Sequence, residues 1–121
     1  MSKSFDFGRE AESFAVSYFE KLGFQILAQN YYFQKAEIDL ILKKDQTIII
    51  VEIKARSFNP LIKPELAVNL SKKRLILKAT NQFIIENNID ADVRFDILAL
   101  EKKESTWIIH HIVDAFNALE L

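Results

Sequence analysis

Asp39 and Glu52, thirteen residues apart, with Lys54 two residues beyond the second, are the residues of this chain whose types and spacing could do chemistry. Carboxylates are hard oxygen donors and suit Mg²⁺ or Mn²⁺, which keep several waters when bound. A cation held in this way lowers the pKa of a bound water and offsets charge on a phosphoryl oxygen during in-line displacement. An ammonium beside it, that of Lys54, would orient the attacking water or stabilise the pentacovalent phosphate. The same residues also admit a structural reading, in which Glu52 pairs with Lys54 or Arg56 at the edge of a strand.

The elements around these residues decide what they can meet. Thr47 to Arg56 is an apolar run that reads as a buried strand, with Ile48, Ile50, Glu52 and Lys54 on one face and Ile49, Val51, Ile53 and Ala55 on the other. Ala36 to Leu42 reads as the strand before it, setting Glu37, Asp39 and Ile41 against Ile38, Leu40 and Leu42, with a polar turn at Lys43 to Gln46. That hairpin would bring Asp39 and Glu52 to the same end of the pair. Upstream, a polar leader precedes an amphipathic helix from Gly8 to Leu22, stopped by Gly23, and a first strand from Phe24 to Phe33. On the helix, Glu12 falls at the edge of the apolar stripe and looks towards whatever the helix packs on. Glu12, Asp39 and Glu52, with the carbonyl of Ile53, therefore make a candidate oxygen-ligand set drawn from three elements.

Downstream, Ser57 to Leu70 holds both prolines and reads as a loop with a helical turn near Glu65 to Val68. A second helix follows from Ser71, its N-cap, to Asn88. A fourth strand, Asp92 to Leu100, is reached by that helix crossover and so should run parallel to the third. Thr106 to Val113 is a fifth strand, and the tail from Asp114 to Leu121 is either a short helix or irregular.

The chain has 121 residues, 50% of them hydrophobic with ten Phe, which suits a single domain over residues 1–121. Sixteen Lys and Arg against seventeen Asp and Glu give a net charge of −1, so there is no overall electrostatic footprint of a generic nucleic-acid binder. Acidic metal ligands can nevertheless offset a local basic rim in that total. The absence of cysteine excludes disulfides, thiolate metal sites and cysteine nucleophiles. Nothing reads as an export signal or a membrane span, which makes a cytoplasmic protein the expectation.

Gly8-Arg9-Glu10-Ala11-Glu12-x-x-Ala15, Gly23-Phe24-x-Ile26-Leu27-x-x-Asn30, Glu37-Ile38-Asp39-Leu40-Ile41, Val51-Glu52-Ile53-Lys54-x-Arg56, Ala67-Val68 before Lys72-x-Arg74, and Arg94-Phe95-Asp96 together resemble the YraN-like family of small bacterial proteins. The resemblance runs from Phe7 to Val113, with the motifs in order. That family is similar to the restriction-endonuclease-like superfamily, the PD-(D/E)xK nucleases, and to archaeal Holliday junction resolvases. The resemblance implies an α/β fold with a restriction-endonuclease-like core, α-β-β-β-α-β, whose central mixed sheet is flanked by helices. It implies metal ligands at Glu12, Asp39 and Glu52, a catalytic set of Asp39, Glu52 and Lys54, and a basic residue opening the next helix at Lys72. DNA, branched or damaged, is the implied partner, Mg²⁺ or Mn²⁺ the implied cofactor, and a homodimer is compatible with it. The family usually has glycine where this chain has Ala11 and Ala36; both are small, but Ala36 gives up the close backbone approach a glycine permits.

Further readings stay open beside these. Lys72, Lys73 and Arg74, with Lys78, would grip phosphates at the rim of the site, or would form a solvated helix face. Glu37 would be an outer ligand or a partner for Lys35 or Lys54. His110 and His111 are adjacent on a strand, point to opposite faces and so read as structural. Trp107 and the Tyr31-Tyr32-Phe33 run read as packing rather than base stacking. Two functions of different class follow: a metal-dependent endonuclease hydrolysing phosphodiester bonds, or a non-catalytic module that binds nucleic acid or protein on a nuclease scaffold.

Overall fold

The computed structural model describes residues 3–118, and of these the side chains from residue 6 onward. Its elements run α1 (Lys3–Lys21), β1 (Gln25–Phe33), β2 (Ala36–Lys44), β3 (Thr47–Ser57), α2 (Leu70–Glu86), β4 (Asp92–Lys103) and β5 (Thr106–Phe116). The strands form one sheet in the order β1-β2-β3-β4-β5, antiparallel except for β3 and β4, which run parallel. This is an α/β fold with a central mixed sheet flanked by helices, and its first six elements follow the restriction-endonuclease-like order α-β-β-β-α-β.

The helices cover opposite faces. Ala11, Ala15 and Phe19, spaced four apart on α1, are fully buried against Leu40, Leu42, Ile49, Val51, Leu98 and Leu100. On α2, Ile76, Ala79 and Phe83 meet Ile38, Ile41, Ile48, Ile50, Phe95 and Ile97. Each such aliphatic or aromatic side chain taken out of water contributes about 1.5–3 kcal/mol. Gly23 closes α1 at φ +89, with Phe24 N–H donating to Phe19 C=O and Gly23 N–H to Glu20 C=O, both at 3.0 Å.

The sheet is held by three two-residue hairpins whose first turn residues, Gln34, Asp45 and Glu104, all have positive φ. The turn between β2 and β3 is thus only Asp45-Gln46, shorter than the expected four residues, because Lys43 and Lys44 still pair with Ile48 and Thr47. Other boundaries moved for similar reasons. The polar leader is helical from Lys3, while Met1 and Ser2 lie outside the described residues. The N-cap of α2 is Asn69, whose side chain accepts from Lys72 N–H at 2.9 Å, rather than Ser71. No helical turn forms at Glu65 to Val68, and β5 continues to Phe116, so that the expected tail is strand at its start; its last three residues lie outside the described ones.

The alternation read from sequence holds through β3, where Ile48 and Ile50 face α2 while Ile49 and Val51 face α1. On β2 it does not. Ala36, Ile38 and Ile41 lie in the α2-side core and Leu40 and Leu42 in the other, so the period slips between Ile38 and Ile41. The slip falls where β2 and β3 part, since their ladder ends at Leu40 and Val51. Asp39 is the first residue past that point.

Candidate active site

Where the two strands separate, the Asp39 side chain replaces the missing backbone partner: Oδ2 accepts the Ile53 N–H at 2.7 Å. Glu52 comes from the neighbouring strand on the α2-facing side and is buried, 7% exposed, in continuation of Ile48 and Ile50. Its Oε1 is paired with the Lys72 ammonium from the first turn of α2. These groups open into a cleft of about 420 Å³ lined by Lys35, Ala36, Glu37, Asp39, Glu52, Asn69, Ser71, Lys72, Leu75 and Ile76.

Two carboxylates in a half-dry cleft repel each other, and the Asp39 proton registers it. Burial comes first and the charge of Glu52 second in raising the Asp39 carboxyl, with Glu37 adding to both. The Ile53 N–H and the Lys72 ammonium oppose them, and the balance pushes Asp39 up to about 7. Lys72 responds in kind. Burial would lower it, but its hydrogen bond to Glu52 and the charges of Glu52, Asp39 and Glu37 outweigh that and raise it. The cleft therefore favours positive charge, and Lys72 supplies part of it.

The structure brings Asp39, Glu52 and Lys72 together with Glu37 at the cleft wall, and places Glu12, Lys54, Lys73 and Arg74 outside the cleft lining. Glu12 is half-buried on α1, accepting from Asn30 Nδ2 at 3.4 Å. Its charge still reaches the sheet edge, since the Tyr32 hydroxyl is raised by Glu37 foremost and also by Glu12 and Asp39. Among the described residues no three His, Asp or Glu side chains stand close enough to hold an ion between them. Lys54 shares the Glu52 face of β3 but turns to the segment before α2, donating to Ala67 C=O and pairing with Glu65 at 3.4 Å. Lys73 lies over the Phe116 ring at 5.1 Å, and Arg74 is exposed. Glu37 is exposed at the cleft wall.

Two buried acids that sequence reasoning passed over hold β4 to its neighbours. Asp96 receives Arg94 through both oxygens (2.9 and 3.0 Å), His111 Nε2 at 2.8 Å and Asp114 N–H at 3.0 Å. Burial alone would raise its pKa, but these hydrogen bonds hold the carboxyl below the ordinary aspartate range. Glu101 is clasped by Arg56 at 2.7 Å and by His110 Nε2 at 2.9 Å, and Arg56 chiefly holds its carboxyl low. The signal for both was the alternation of β4, which sets Asp96 between Arg94 and Leu98 on one face. The two histidines do face opposite sides and each serves a structural acid.

Sequence comparison adds a family to this geometry. A profile described as "Uncharacterised protein family UPF0102" matches residues 11–100, from α1 through β4, and so takes in Glu12, Asp39, Glu52, Lys54 and Lys72. The chain belongs to UPF0102. Among its UPF0102 relatives, the protein of Parabacteroides distasonis is 43% identical over 98% of this chain and 98% of its own length. That of Flavobacterium psychrophilum is 40% identical, covering 96% and 98%, and that of Chloroherpeton thalassium is 40% identical, covering 98% and 99%. UPF0102 is the YraN-like family that the sequence motifs resemble. Among the described residues no helix is long and apolar enough to cross a membrane.

Proposed function

We propose that this UPF0102 protein is a divalent-metal-dependent DNA endonuclease of the PD-(D/E)xK kind, hydrolysing phosphodiester bonds, with interrupted or branched DNA as its substrate class. One observation carries the reading: Asp39 and Glu52 meet at the parting of β2 and β3, where burial first and the charge of Glu52 second raise Asp39 to about 7. A fold does not keep like charges half-buried side by side for stability, and such pairs mark sites that receive a cation.

The residues fit a hard divalent ion. The acidic side chains of the cleft, Glu37, Asp39 and Glu52, offer carboxylate oxygens, and Asp39 keeps Oδ1 available because only Oδ2 is taken by Ile53. Glu52 keeps Oε2, its other oxygen being bound to Lys72. When bound, Mg²⁺ or Mn²⁺ supplies charge neutralisation at the phosphate and acidifies a water. Around it, the Ile53 N–H holds the Asp39 carboxylate in a fixed orientation. Lys72, released from Glu52, would carry its charge to a phosphate oxygen, and Lys54, the lysine of the (D/E)xK pair, would join it on leaving Ala67 C=O and Glu65. Glu12 stands at the neighbouring sheet edge, within reach of the field at Tyr32.

The test is cleavage of linear, nicked and branched DNA with Mn²⁺ by the parent and by Asp39→Ala and Glu52→Ala. The expected result is loss of at least about a hundredfold in each variant, the scale on which removal of one such group acts. Equal rates in parent and variants would refute the proposal. The second reading, a binding module on the same scaffold, is favoured by Lys54 being turned to Glu65 and Ala67 C=O. Calorimetric Mn²⁺ titration separates the two, since the module has no need of an ion at Asp39 and Glu52.

A further inference from the structure

The segment 58–69 between β3 and α2 carries apolar side chains outward. Leu61 is 91% exposed and Ile62 57%, with Leu66 also exposed. Its backbone is nonetheless pinned along its length. Phe58 N–H donates to Lys102 C=O at 2.8 Å, and the Phe58 ring lies 4.8 Å from the Lys103 ammonium. Asn59 to Ile62 form a turn closed by Ile62 N–H to Asn59 C=O at 3.2 Å and braced by Asn59 Oδ1, which accepts from Leu61 N–H at 3.0 Å. Pro60 occupies the turn position whose φ a proline ring sets in advance. Beyond the turn, Arg56 donates to Ile62 C=O, Lys54 to Ala67 C=O, and Val68 is buried in the α2-side core. The result is a stiff prong with an apolar tip.

Two features say what the prong meets. Its last residue, Asn69, lines the cleft, and α2 carries on from there with Ser71 and Lys72 in the same wall. Arg56, which holds Ile62, lies four residues beyond Glu52 on the same face of β3, about 13 Å at ~3.3 Å per residue. That is the length of three to four stacked nucleotides at ~3.4 Å each. Cations also stand near the tip: Lys63 on the prong is exposed and Lys103 lies against Phe58 at its base, while the charge of Arg56 is matched by Glu101 and that of Lys54 by Glu65. Apolar tips beside basic groups are the means by which proteins part stacked bases.

We propose that Leu61 and Ile62 form a wedge that enters a base step of DNA a few nucleotides from the bond held at Asp39 and Glu52. The proposal rests on the nuclease reading of that cleft and extends it to the substrate. Unstacking costs least where the duplex is already interrupted, so the wedge selects nicked, mismatched or branched DNA over intact duplex.

The experiment uses the full chain with Ca²⁺ in place of the catalytic ion and oligonucleotide duplexes, intact or nicked, carrying 2-aminopurine at successive steps. The parent is expected to raise the fluorescence several-fold at one step of the nicked duplex. Leu61→Ser combined with Ile62→Ser is expected to abolish that rise and to weaken binding to nicked DNA by about tenfold, leaving intact duplex unaffected. Its melting temperature should stay that of the parent, because both side chains are in water. Unchanged fluorescence and affinity in the double variant overturn the wedge. So does a loss seen only on anionic phosphatidylglycerol vesicles, which would make the prong a membrane contact. Cleavage by the parent with Mn²⁺ is measured alongside. If it persists while the prong proves inert, only the wedge falls; if it is absent while the prong still unstacks bases, only the catalytic reading falls.

Discussion

Replacing Asp39 by Asn should make the metal-free protein more stable at pH 8. The folded carboxyl holds its proton from the ordinary 3.8 up to about 7. Its contribution to stability is therefore intact below about pH 4 and is lost as pH rises through the folded value, because over that window the native state binds the proton more tightly than the unfolded chain. A full rise of this size would correspond to about 4 kcal/mol at ~1.4 kcal/mol per pH unit. Asp39 is only partly buried at the wall of an open cleft, and solvent screening reduces the expected gain to about 1–2 kcal/mol. For a chain of this length 1 kcal/mol shifts the melting temperature by about 4 °C, so Asn should melt about 4–8 °C above the parent at pH 8. The amide oxygen can still accept from Ile53 N–H, so the local geometry is retained. Melts with a chelator between pH 4 and 8, followed by the fluorescence of the single Trp107, would measure the gap, since that ring packs on Phe7 and Phe14 of α1. The reasoning is refuted if Asn melts at or below the parent at pH 8, or if the gap is as large at pH 4. In parallel melts at pH 8 without the chelator, Mn²⁺ should stabilise the parent and leave the variant unmoved.

Two other substitutions give opposite signs or different pH windows. Lys72→Met removes the cation on buried Glu52 and should lower stability at pH 8 by about 1 kcal/mol, while tightening Mn²⁺ several-fold in a calorimetric titration, because the ion no longer competes with an ammonium; weaker Mn²⁺ binding would show that Lys72 supports the ion rather than replacing it. Asp96→Asn strands Arg94 and His111 and should cost about 2–4 kcal/mol by denaturant unfolding. The Asp96 carboxyl is held low, so its contribution is present above the ordinary aspartate pKa and lost as pH falls through the lower folded value, and the variant's deficit should shrink only in acid.

The face of β3 was legible because its parallel pairing with β4 runs unbroken from Thr47 to Ser57, and Ile48, Ile50 and Glu52 sit as the spacing required. β2 was half legible. Past Leu40 it loses its partner, and a rule that assumes a regular ladder cannot see the slip that puts Ile38 on the α2 side. The meeting of Asp39 and Glu52 could be read from hairpin geometry, since it depends on a two-residue turn and local pairing. The choice between Lys54 and Lys72 for Glu52 could not, because it is decided by where the segment before α2 folds back, and a prong that captures Lys54 through a main-chain carbonyl leaves no trace in residue type. Asp96 was hidden for a related reason: its partners at 111 and 114 are set by a shift of register near the end of β5.

That shift bears on the open edge of the sheet. β5 is an outermost strand, and from Thr106 to Val113 it has no side chain of fixed charge, the profile of an edge on which another chain can add and aggregate. Opposite Phe95 to Ile97 it carries two more residues than its partner needs, and Asp114 at the middle of the excess is turned to φ 54 with its N–H captured by Asp96. A strand bent in this way is a poor template for a straight one. The acid at position 96 thus acts twice, knitting one side of β5 into the fold and spoiling the other as a place for further growth.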